Sequence, residues 1–443
     1  MLTELILYKE VIDVEFNIKN KFDNIGEQIY NVIEELFPIC RSITGNGVRE
    51  SLKIIQKQIP IEIKEIPSGK KAYDWKIPKE WNIEDAYIKN STGEKIVDFQ
   101  KSNLHVVNYS IPVNGKFTLD ELKKHLHTLP NNPEWIPYLT TYYNEDWGFC
   151  VSENQLNDLK DEEYKVVIDS KLNNGSLTYG ELIIPGISEK RILLSCYVCH
   201  PSMCNDNLTG PALLTLLAKY IKDKELEYTY HFLFIPETIG AIAWLSQNEE
   251  IISKIKCGLV ATCLGDSGIS TYKKTKNGNS IIDRIVEKVL QESKLKFKII
   301  DFFPSGSDER QFSSLGFNLE IGSLMKTMYG KFPEYHTSAD NLEFINKNSL
   351  HDSFEKYLNV ILMLENNKIY RNLNPKCEPQ LGRKGIYRLI GSQKNEDLDE
   401  LSILWVLNMT DGVNSLLDIS ERSGIKFQQI QKAAQLLFDK KLL

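Results

Sequence analysis

The 443-residue chain has no long apolar run and no excess of positive charge. A membrane-spanning helix needs about 20 apolar residues, and no stretch of about 18 occurs here. The first residues, MLTELILYKEVIDVEF, carry an apolar run too short and too interrupted by charges for a signal peptide. A net charge of −7 argues against a general nucleic-acid binder, since phosphate affinity requires clustered Lys and Arg. We therefore expect a cytoplasmic protein that has neither a membrane nor a nucleic acid as its partner.

Cysteine is also scarce. Eight cysteines in a chain of this length do not suggest a disulfide framework. Cys196 and Cys199 form a C-x-x-C motif, and Cys204 follows closely. Such a motif is found in redox-active and in metal-binding sites. The first two cysteines end an apolar run typical of a strand, where free cysteine is commonly buried. We therefore interpret them as buried, reduced thiols.

The length and the changes in sequence texture indicate two to three domains. Residues 24–57 have apolar residues at helical spacing, interrupted by a glycine-rich turn. Residues 60–163 hold four of the six tryptophans and short alternating runs bounded by Pro, Asn and Gly, which is typical of strands and loops. We predict an α/β core formed by residues 1–59 and 164–370, an inserted β-rich domain of residues 60–163 and a winged-helix module of residues 371–443.

The core pattern predicts an α/β fold with a mostly parallel sheet flanked by helices. KRILLSCYV and YTYHFLFIP are near-continuous apolar runs of the kind buried on both faces of a sheet. The helical runs TGPALLTLLAKYIKDK and IGAIAWLSQN lie between the predicted strands, and this alternation implies right-handed crossovers. After a linker, three helical runs with a turn at Gly424 follow the helix-turn-helix pattern.

Titratable residues follow five successive strand ends or loops of the predicted core. Ligands of α/β sheets bind beyond the carboxyl ends of the strands, so we expect these side chains to meet. In chain order they are His200 and Asp206, then Glu237, then Asp266, then Asp308, Glu309 and Arg310, and finally His336.

Histidine and carboxylate together indicate a zinc site, because Zn²⁺ takes imidazole nitrogen and carboxylate oxygen in a tetrahedral arrangement. A catalytic zinc keeps one position open for a water whose pKa it lowers to about 7. Glu237, directly after Pro236 at a strand end, is the candidate general base. The alternative for Glu237 is an interaction with the dipole of the helix that follows it.

The order of these residues resembles the M28-type zinc aminopeptidases. The matching stretches are His200, then Asp206 with Asn207-Leu208-Thr209-Gly210, then Glu237, Asp266 and His336. More narrowly, LFPICRSITGNGVRESL, CHPSMCNDNLTG and FPEYHTSADN resemble bacterial aminopeptidase-like proteins of unknown function that carry an inserted domain and a C-terminal winged helix. The resemblance implies that Asp206 bridges two metal sites, that Asp266 and His336 complete one, that His200 contributes to the other, and that Glu237 is the general base.

The chain departs from the M28 pattern at two positions. Thr238 stands where the second Glu of a Glu-Glu pair is usually a metal ligand, and Ser202 stands where an Asp usually orients its neighbours. Two arrangements stay open. Either some three of His200, Asp206, Asp266 and His336 hold one zinc ion, or a second metal is held by a substitute such as Asp308 or Glu309. We favour one firmly bound zinc ion.

The sequence indicates fewer candidate residues for substrate binding than for metal binding. Arg41 and Arg310 are candidates for holding a substrate carboxylate by a bidentate pair, with Asp308 near Arg310. The alternative for each arginine is a salt bridge. Tyr335 is a candidate hydrogen-bond donor to a tetrahedral oxyanion or, alternatively, a packed aromatic residue. The insert segment YYNEDWGFC, residues 142–150, is expected to face the metal.

The predicted function is hydrolysis of an amide bond, with a small peptide or peptide-like molecule as substrate. The alternatives are an amidase or deacylase for a sugar or other metabolite, and a binding protein without catalysis. The tail argues against a DNA reader, since residues 396–443 carry a net charge of −3 and the presumed recognition helix has lysines mainly at its ends. We expect the winged helix to contact protein, and it or the insert to support a homo-oligomer.

Overall fold

The structure is a computed structural model that describes residues 24–386 and 400–443. The predicted absence of a signal peptide concerns residues outside this part of the chain, as does the section of the predicted winged-helix module at 387–399. The described residues form two compact units. One consists of residues 24–283 and 296–355, and the other of residues 284–295, 356–386 and 400–443.

The secondary structure alternates strands and helices over most of the chain. The strands are β1 (Glu62–Pro67), β2 (Lys71–Ala72), β3 (Trp75–Lys76), β4 (Glu80–Lys89), β5 (Lys95–Asp98), β6 (Val113–Thr118), β7 (Leu126–His127), β8 (Phe149–Cys150), β9 (Glu163–Asn173), β10 (Ser176–Ile184), β11 (Ser188–Tyr197), β12 (Tyr228–Ile235), β13 (Ile255–Ala261), β14 (Ser270–Lys273), β15 (Phe297–Ile300), β16 (Ile321–Met325), β17 (Ile369–Arg371) and β18 (Asp411–Ser415). The helices are α1 (Ile25–Leu36), α2 (Asn46–Gln58), α3 (Leu119–Lys123), α4 (Glu153–Asn157), α5 (Thr209–Ile221), α6 (Ile239–Gln247), α7 (Glu249–Ile252), α8 (Ile281–Glu292), α9 (Glu309–Phe312), α10 (Lys347–Asn366), α11 (Glu400–Met409), α12 (Leu416–Ser423) and α13 (Phe427–Asp439).

The larger unit is built on an eight-stranded sheet in the order β1-β10-β12-β11-β13-β16-β14-β15. Its centre is parallel, since β11 pairs in parallel with β12 and β13, and β13 pairs in parallel with β16. Antiparallel pairs join β1 to β10, β10 to β12 and β14 to β16. The central strands are buried along most of their length, as their continuous apolar runs require. The predicted α/β fold with a mostly parallel sheet is confirmed.

Helices cover the sheet because their apolar residues recur at helical spacing. Helix α1 buries Ile25, Ile29, Val32, Ile33 and Leu36, which is the predicted apolar face. Helices α5 and α6 are buried on nearly every side, and both begin directly after loops that carry predicted site residues. Because β11, β12 and β13 are parallel, the loops that follow them lie at the same edge of the sheet.

The β-rich segment forms its own four-stranded antiparallel sheet in the order β5-β4-β9-β6. Two strands pair in a different sheet from the one that the predicted domain boundaries imply. Residues 62–67 pair with β10 in the large sheet, whereas residues 163–173 pair with β4 and β6 in the small one. We therefore propose an insert running from about β2 to the end of β9.

The smaller unit contains the helix-turn-helix tail. Helix α12 begins with a capping box, in which the side chains of Ser415 and Asp418 each accept a hydrogen bond from the other's backbone N–H group. It ends at Gly424, whose φ of 72° is the left-handed conformation expected at a helix C-terminus. The guanidinium of Arg284 forms ion pairs with Asp418, at 2.6 Å, and with Glu421. Acidic side chains of the tail are thus already paired within this unit.

Among the described residues, no helix is both long enough and apolar enough to cross a membrane.

Candidate metal centre

Three predicted residues bring their ligand atoms together at the edge where the parallel strands end. His200 lies three residues after β11, Asp206 lies shortly before α5, and His336 lies in the loop between β16 and α10. One ligand atom from each lies within 4.8 Å of the other two. The Nε2 atom of His336 is 3.0 Å from Oδ2 of Asp206.

Each residue of this group has one buried side-chain atom that makes no hydrogen bond by geometry, although the atoms on Asp206 and His336 face each other at 3.0 Å. These atoms are Nδ1 of His200, Oδ2 of Asp206 and Nε2 of His336. Buried polar atoms without partners are rare in folded proteins and call for a ligand or ion. Two imidazoles and one carboxylate match the donors that zinc takes in catalytic sites. Within the described part of the chain, this is the group of three ligands that fits a metal ion.

Burial keeps the imidazole of His200 neutral. The side chain is 6% exposed, and burial lowers its pKa to about 4 despite the nearby Asp206 carboxylate. A neutral imidazole has a free lone pair on one nitrogen, which metal binding requires.

Asp206 is held by residues that the sequence patterns did not single out. The Tyr197 hydroxyl donates to Oδ1 of Asp206 and lies 2.7 Å from the Thr262 hydroxyl. The Asp340 carboxylate accepts hydrogen bonds from the backbone N–H groups of Asn205, at 2.6 Å, and Asp206, at 2.8 Å. Burial raises the pKa of Asp340 to about 8 even though it accepts these bonds. Asp340 lies only four residues after His336, and this closeness in the sequence is the feature that could have indicated it.

Arg41 lies behind His200 rather than in an open pocket. Its Nε donates to the His200 carbonyl at 2.9 Å, and its Nη1 donates to the Leu36 carbonyl at 2.6 Å. The side chain is fully buried, and burial lowers its pKa to about 10. These contacts join Arg41 to the backbone of His200, and the predicted substrate contact stays a prediction.

Asp266 lies outside the group of three ligands. Its carboxylate accepts hydrogen bonds from Asn205 Nδ2 at 3.0 Å and from the N–H of Gly268 at 2.7 Å. Thr327 donates from its backbone at 3.1 Å and from its hydroxyl at 2.5 Å. Both oxygens of Asp266 are thus engaged by the surrounding loops, and its part in metal binding stays a prediction.

Glu237 lies beside the group of three ligands. Its Oε2 is 3.8 Å from Nε2 of His200, and its backbone N–H donates to Sγ of Cys199 at 3.3 Å. Burial raises the pKa of Glu237 well above its usual range, and Asp308 and Asp206 raise it further. Cys199, like Cys196 and Cys204, is a buried free thiol, as the sequence indicated.

The segment after β15 meets the start of α6 next to Glu237. The N–H of Thr238 donates to Oδ1 of Asp308 at 2.7 Å, and Nη2 of Arg310 donates to the Thr238 hydroxyl at 3.1 Å. Glu309 is fully buried and forms an ion pair with Lys273 at 2.6 Å. Asp308 and Arg310 therefore border the site, while Glu309 belongs to a neighbouring ion pair.

Aromatic rings form the walls of the site. Tyr335 stacks on His336, with ring centroids 3.9 Å apart. Tyr138, from the insert, presents its ring edge-on to both His200 and His336 at 5.4 and 5.2 Å. Its hydroxyl lies 3.0 Å from that of Tyr142, the first residue of the segment expected to face the metal. The sequence had not indicated Tyr138.

The insert reaches the site through a short pairing with the loop that carries His336. The N–H of Tyr138 donates to the His336 carbonyl at 2.8 Å. Ile136 and Ser338 exchange two further hydrogen bonds, of 3.0 Å and 2.8 Å. This contact joins residues about 200 positions apart in the chain, as the separation of 202 between Ile136 and Ser338 shows.

Solved structures share the fold built on the mostly parallel sheet. A zinc aminopeptidase from Bacillus subtilis matches with a TM-score of 0.55 at 12% identity, covering 76% of this chain and 94% of that one. An M28 peptidase precursor from Shewanella amazonensis matches with a TM-score of 0.53 at 13% identity, covering 78% and 96%. At these identities the likeness concerns the fold.

The family is shown by closer matches. Residues 30–367 match the model of a domain of unknown function, DUF4910, and residues 368–443 match a winged helix-turn-helix model. A Clostridium acetobutylicum protein is 58% identical over 426 residues, covering 96% of this chain and 98% of its own. Its provisional name assigns it to polysaccharide biosynthesis, with an aminopeptidase-like domain. The chain belongs to the DUF4910 family and carries a C-terminal winged helix.

A crystal structure from the same organism gives the fold of a near relative. This protein, provisionally named a peptidase, is 57% identical and matches with a TM-score of 0.90. The match covers 94% of this chain and 96% of that one.

Proposed function

We propose that this protein is a zinc-dependent hydrolase of the aminopeptidase type, which cleaves an amide bond in a small peptide or peptide-like molecule. The observation that carries the proposal is the group of His200, Asp206 and His336, whose ligand atoms lie within 4.8 Å of one another beside Glu237. His200, Asp206 and His336 would hold the ion. The peptidase-like fold supports this assignment.

Glu237 is the general base of the proposed reaction. Zinc, when bound, supplies a Lewis acid that polarises the scissile carbonyl and lowers the pKa of water. The Glu237 carboxylate accepts a proton from the attacking water and returns it to the leaving nitrogen. One water is consumed, the C–N bond breaks, and a carboxylic acid and an amine form.

We propose a single zinc ion per chain. Thr238 offers no carboxylate where a second ion would need one, and Asp266 has both oxygens engaged in hydrogen bonds. The Asp308 carboxylate accepts the Thr238 N–H instead of lying within the group of three ligands. These contacts favour one ion over the dinuclear alternative.

Aromatic side chains surround the two histidines, and this favours small substrates. Tyr138 and Tyr335 flank the histidines, and Tyr142 lies next to Tyr138. Tyr335 remains the candidate donor to a developing oxyanion. We further propose a cytoplasmic location, because all eight cysteines are free thiols. Homo-oligomer formation stays a prediction.

Metal content and turnover test the proposal together. We expect about one zinc ion per chain in protein purified without chelators, and its loss in His336→Ala. Glu237→Gln should retain zinc and lose at least about 100-fold in kcat toward aminoacyl-anilides, within the range for removal of a general base. His351→Ala, a change at a histidine on α10, is the matched control and should retain both. A wild-type protein that takes up no zinc would overturn the proposal.

A second candidate is hydrolysis of an amide on a sugar. It is favoured by the provisional name of the 58% identical relative and by an exposed aromatic pair, Trp75 and Tyr143, with ring centroids 5.6 Å apart. Exposed aromatic rings bind the apolar faces of sugar rings. A screen of aminoacyl-anilides against N-acyl sugars separates the two candidates, since the same catalytic groups serve both.

A further inference from the structure

Arg41 is a buried cation that no carboxylate balances. Its side chain is fully buried, and no ion pair within the described residues includes it. The guanidinium instead donates to the backbone carbonyls of His200 and Leu36, at 2.9 Å and 2.6 Å, and to the Ser51 hydroxyl at 3.4 Å. Burying a charge without an opposite charge costs free energy, so these contacts point to a role other than stability.

The hydrogen bond from Arg41 holds the backbone of a candidate metal ligand. Its Nε donates to the carbonyl of His200 itself, while its Nη1 donates to the carbonyl of Leu36, the last residue of α1. A guanidinium is planar and rigid, so the two carbonyls are held in a fixed relation to each other. The imidazole of His200 extends from this backbone, and its place therefore depends on the bond from Arg41.

Asn108, in the insert, binds the same arginine from the other side. Its Nδ2 donates to the backbone carbonyl of Arg41 at 3.0 Å, and its Oδ1 accepts the hydroxyl of Ser42. Its own backbone donates to the carbonyl of Leu139 at 2.8 Å and accepts from the N–H of Thr141 at 2.9 Å. The side chain is only 2% exposed, so water does not compete for these bonds.

The segment that Asn108 holds also binds the loop of the second histidine. The N–H of Tyr138, one residue before the contact with Asn108, donates to the carbonyl of His336 at 2.8 Å. Hydrogen bonds and peptide units therefore connect the backbone of His200, through Arg41 and Asn108, to the backbone of His336. The two imidazole rings lie 5.3 Å apart between their centroids, at the ends of this connection.

We propose that Arg41 and Asn108 are positioning residues, which set the distance between the two histidines and thereby the metal affinity of the site. The inference rests on the proposed zinc function. Metal ligands must lie within about 0.2 Å of their ideal distances, so a shift of either histidine backbone weakens binding. The positive charge of Arg41 by itself repels a metal ion. Its removal should therefore tighten zinc binding if charge decides, and weaken it if positioning decides.

The zinc affinity of Arg41→Met tests the proposal. Methionine retains an apolar stem and removes both the charge and the donors. We expect the zinc dissociation constant of the full-length variant, measured by competition with a chromogenic chelator, to rise at least roughly 10-fold. The visible absorption of cobalt-loaded protein should change as well, because it reports the geometry of the ligands and not the stability of the fold.

Arg49→Met is the matched control. Arg49 lies on α2 and forms ion pairs with Glu65 and Glu80 instead of bonds to the histidine loops. The control should lower the free energy of unfolding and leave both the zinc affinity and the cobalt spectrum unchanged. Asn108→Leu removes the two side-chain bonds at the other end of the connection without adding a charge. It should also weaken zinc binding at least roughly 10-fold, and it decides the question if Arg41→Met does not fold.

Three results would overturn the proposal. They are zinc binding that is unchanged or tighter in Arg41→Met, zinc binding unchanged in Asn108→Leu, and a loss of affinity in Arg49→Met as large as that in Arg41→Met. A wild-type protein that takes up no zinc would instead overturn the proposed function, and the inference with it. The two failures are distinguishable, because the first is measured against a wild-type protein that does bind zinc.

Discussion

The Tyr197 hydroxyl donates a hydrogen bond to Oδ1 of Asp206, and this contact leaves Oδ2 as the oxygen that faces His336. Tyr197 is the last residue of β11, so the central strand of the sheet orients a candidate metal ligand on the loop that follows. Hydrogen bonds to ligand side chains typically change metal affinity by about 10–100-fold.

Tyr197→Phe should therefore weaken zinc binding by roughly 10–100-fold while the fold is retained. The phenyl ring keeps the packing, but the carboxylate of Asp206 loses the donor that selects its orientation. Competition with a chromogenic chelator measures the zinc dissociation constant. Tyr164→Phe removes a buried hydroxyl that bonds the Lys160 backbone in the insert, and it should leave zinc affinity unchanged. Equal affinity in wild type and Tyr197→Phe would contradict the prediction.

Asp266→Asn should separate stability from metal binding. The amide retains one acceptor oxygen in place of two, so at least one of the donors on Asn205, Gly268 and Thr327 loses its partner. The free energy of unfolding should fall by about 1–3 kcal/mol. Urea denaturation of the metal-free protein measures this change, and elemental analysis should still find zinc. Loss of zinc at unchanged stability would instead make Asp266 a ligand.

The order of residues along the chain predicted much of the site because parallel strands end at one edge of a sheet. That rule brought together His200, Asp206 and Glu237, which follow β11 and β12. It did not distinguish a ligand from a structural acceptor. Asp266 also follows a buried strand, but three separate loops, those of Asn205, Gly268 and Thr327, supply four donors to its oxygens, and no spacing in the sequence reveals them.

The sequence also did not reveal contacts between segments that are far apart in the chain. Tyr138 reaches the histidines because residues 136–138 pair with residues 336–338, and a pairing over about 200 positions has no local signature. For Arg41, which is followed by a glycine-rich turn, the sequence left a substrate contact and a salt bridge open and gave no sign of the backbone partners that it has. Its guanidinium instead bonds two backbone carbonyls in the interior.

The pair formed by Arg49 and Glu80 should give stability that depends on pH. Hydrogen bonding to Arg49 lowers the pKa of Glu80 from 4.5 to about 2. Because the folded pKa is depressed, the pair stabilises the protein fully above about pH 4.5, and this stability is lost as the pH falls toward 2. Glu80→Gln should therefore cost about 1–3 kcal/mol at pH 7 and clearly less at pH 3.

Urea titrations of wild type and Glu80→Gln at several pH values measure this difference. Glu84→Gln is the control, since Glu84 lies on the same strand and is exposed, with a 4.0 Å contact to Lys171. It should change the free energy of unfolding little at any of these pH values. A Glu80→Gln effect that stays constant from pH 7 to pH 3 would refute the assignment of the pKa shift.

Arg284 should stabilise the winged-helix tail through its ion pairs. It contacts both Asp418 and Glu421, and Lys288 adds bonds to the carbonyls of Ser420 and Ile425. Arg284→Glu places like charges together, so hydrogen exchange in α12 should become faster, in proportion to a loss of about 0.5–1 kcal/mol. The double variant Arg284→Glu with Glu421→Arg restores an opposite pair and should recover part of this protection. If the double variant exchanges as fast as Arg284→Glu alone, the effect would arise from altered packing of α8 and not from the ion pairs.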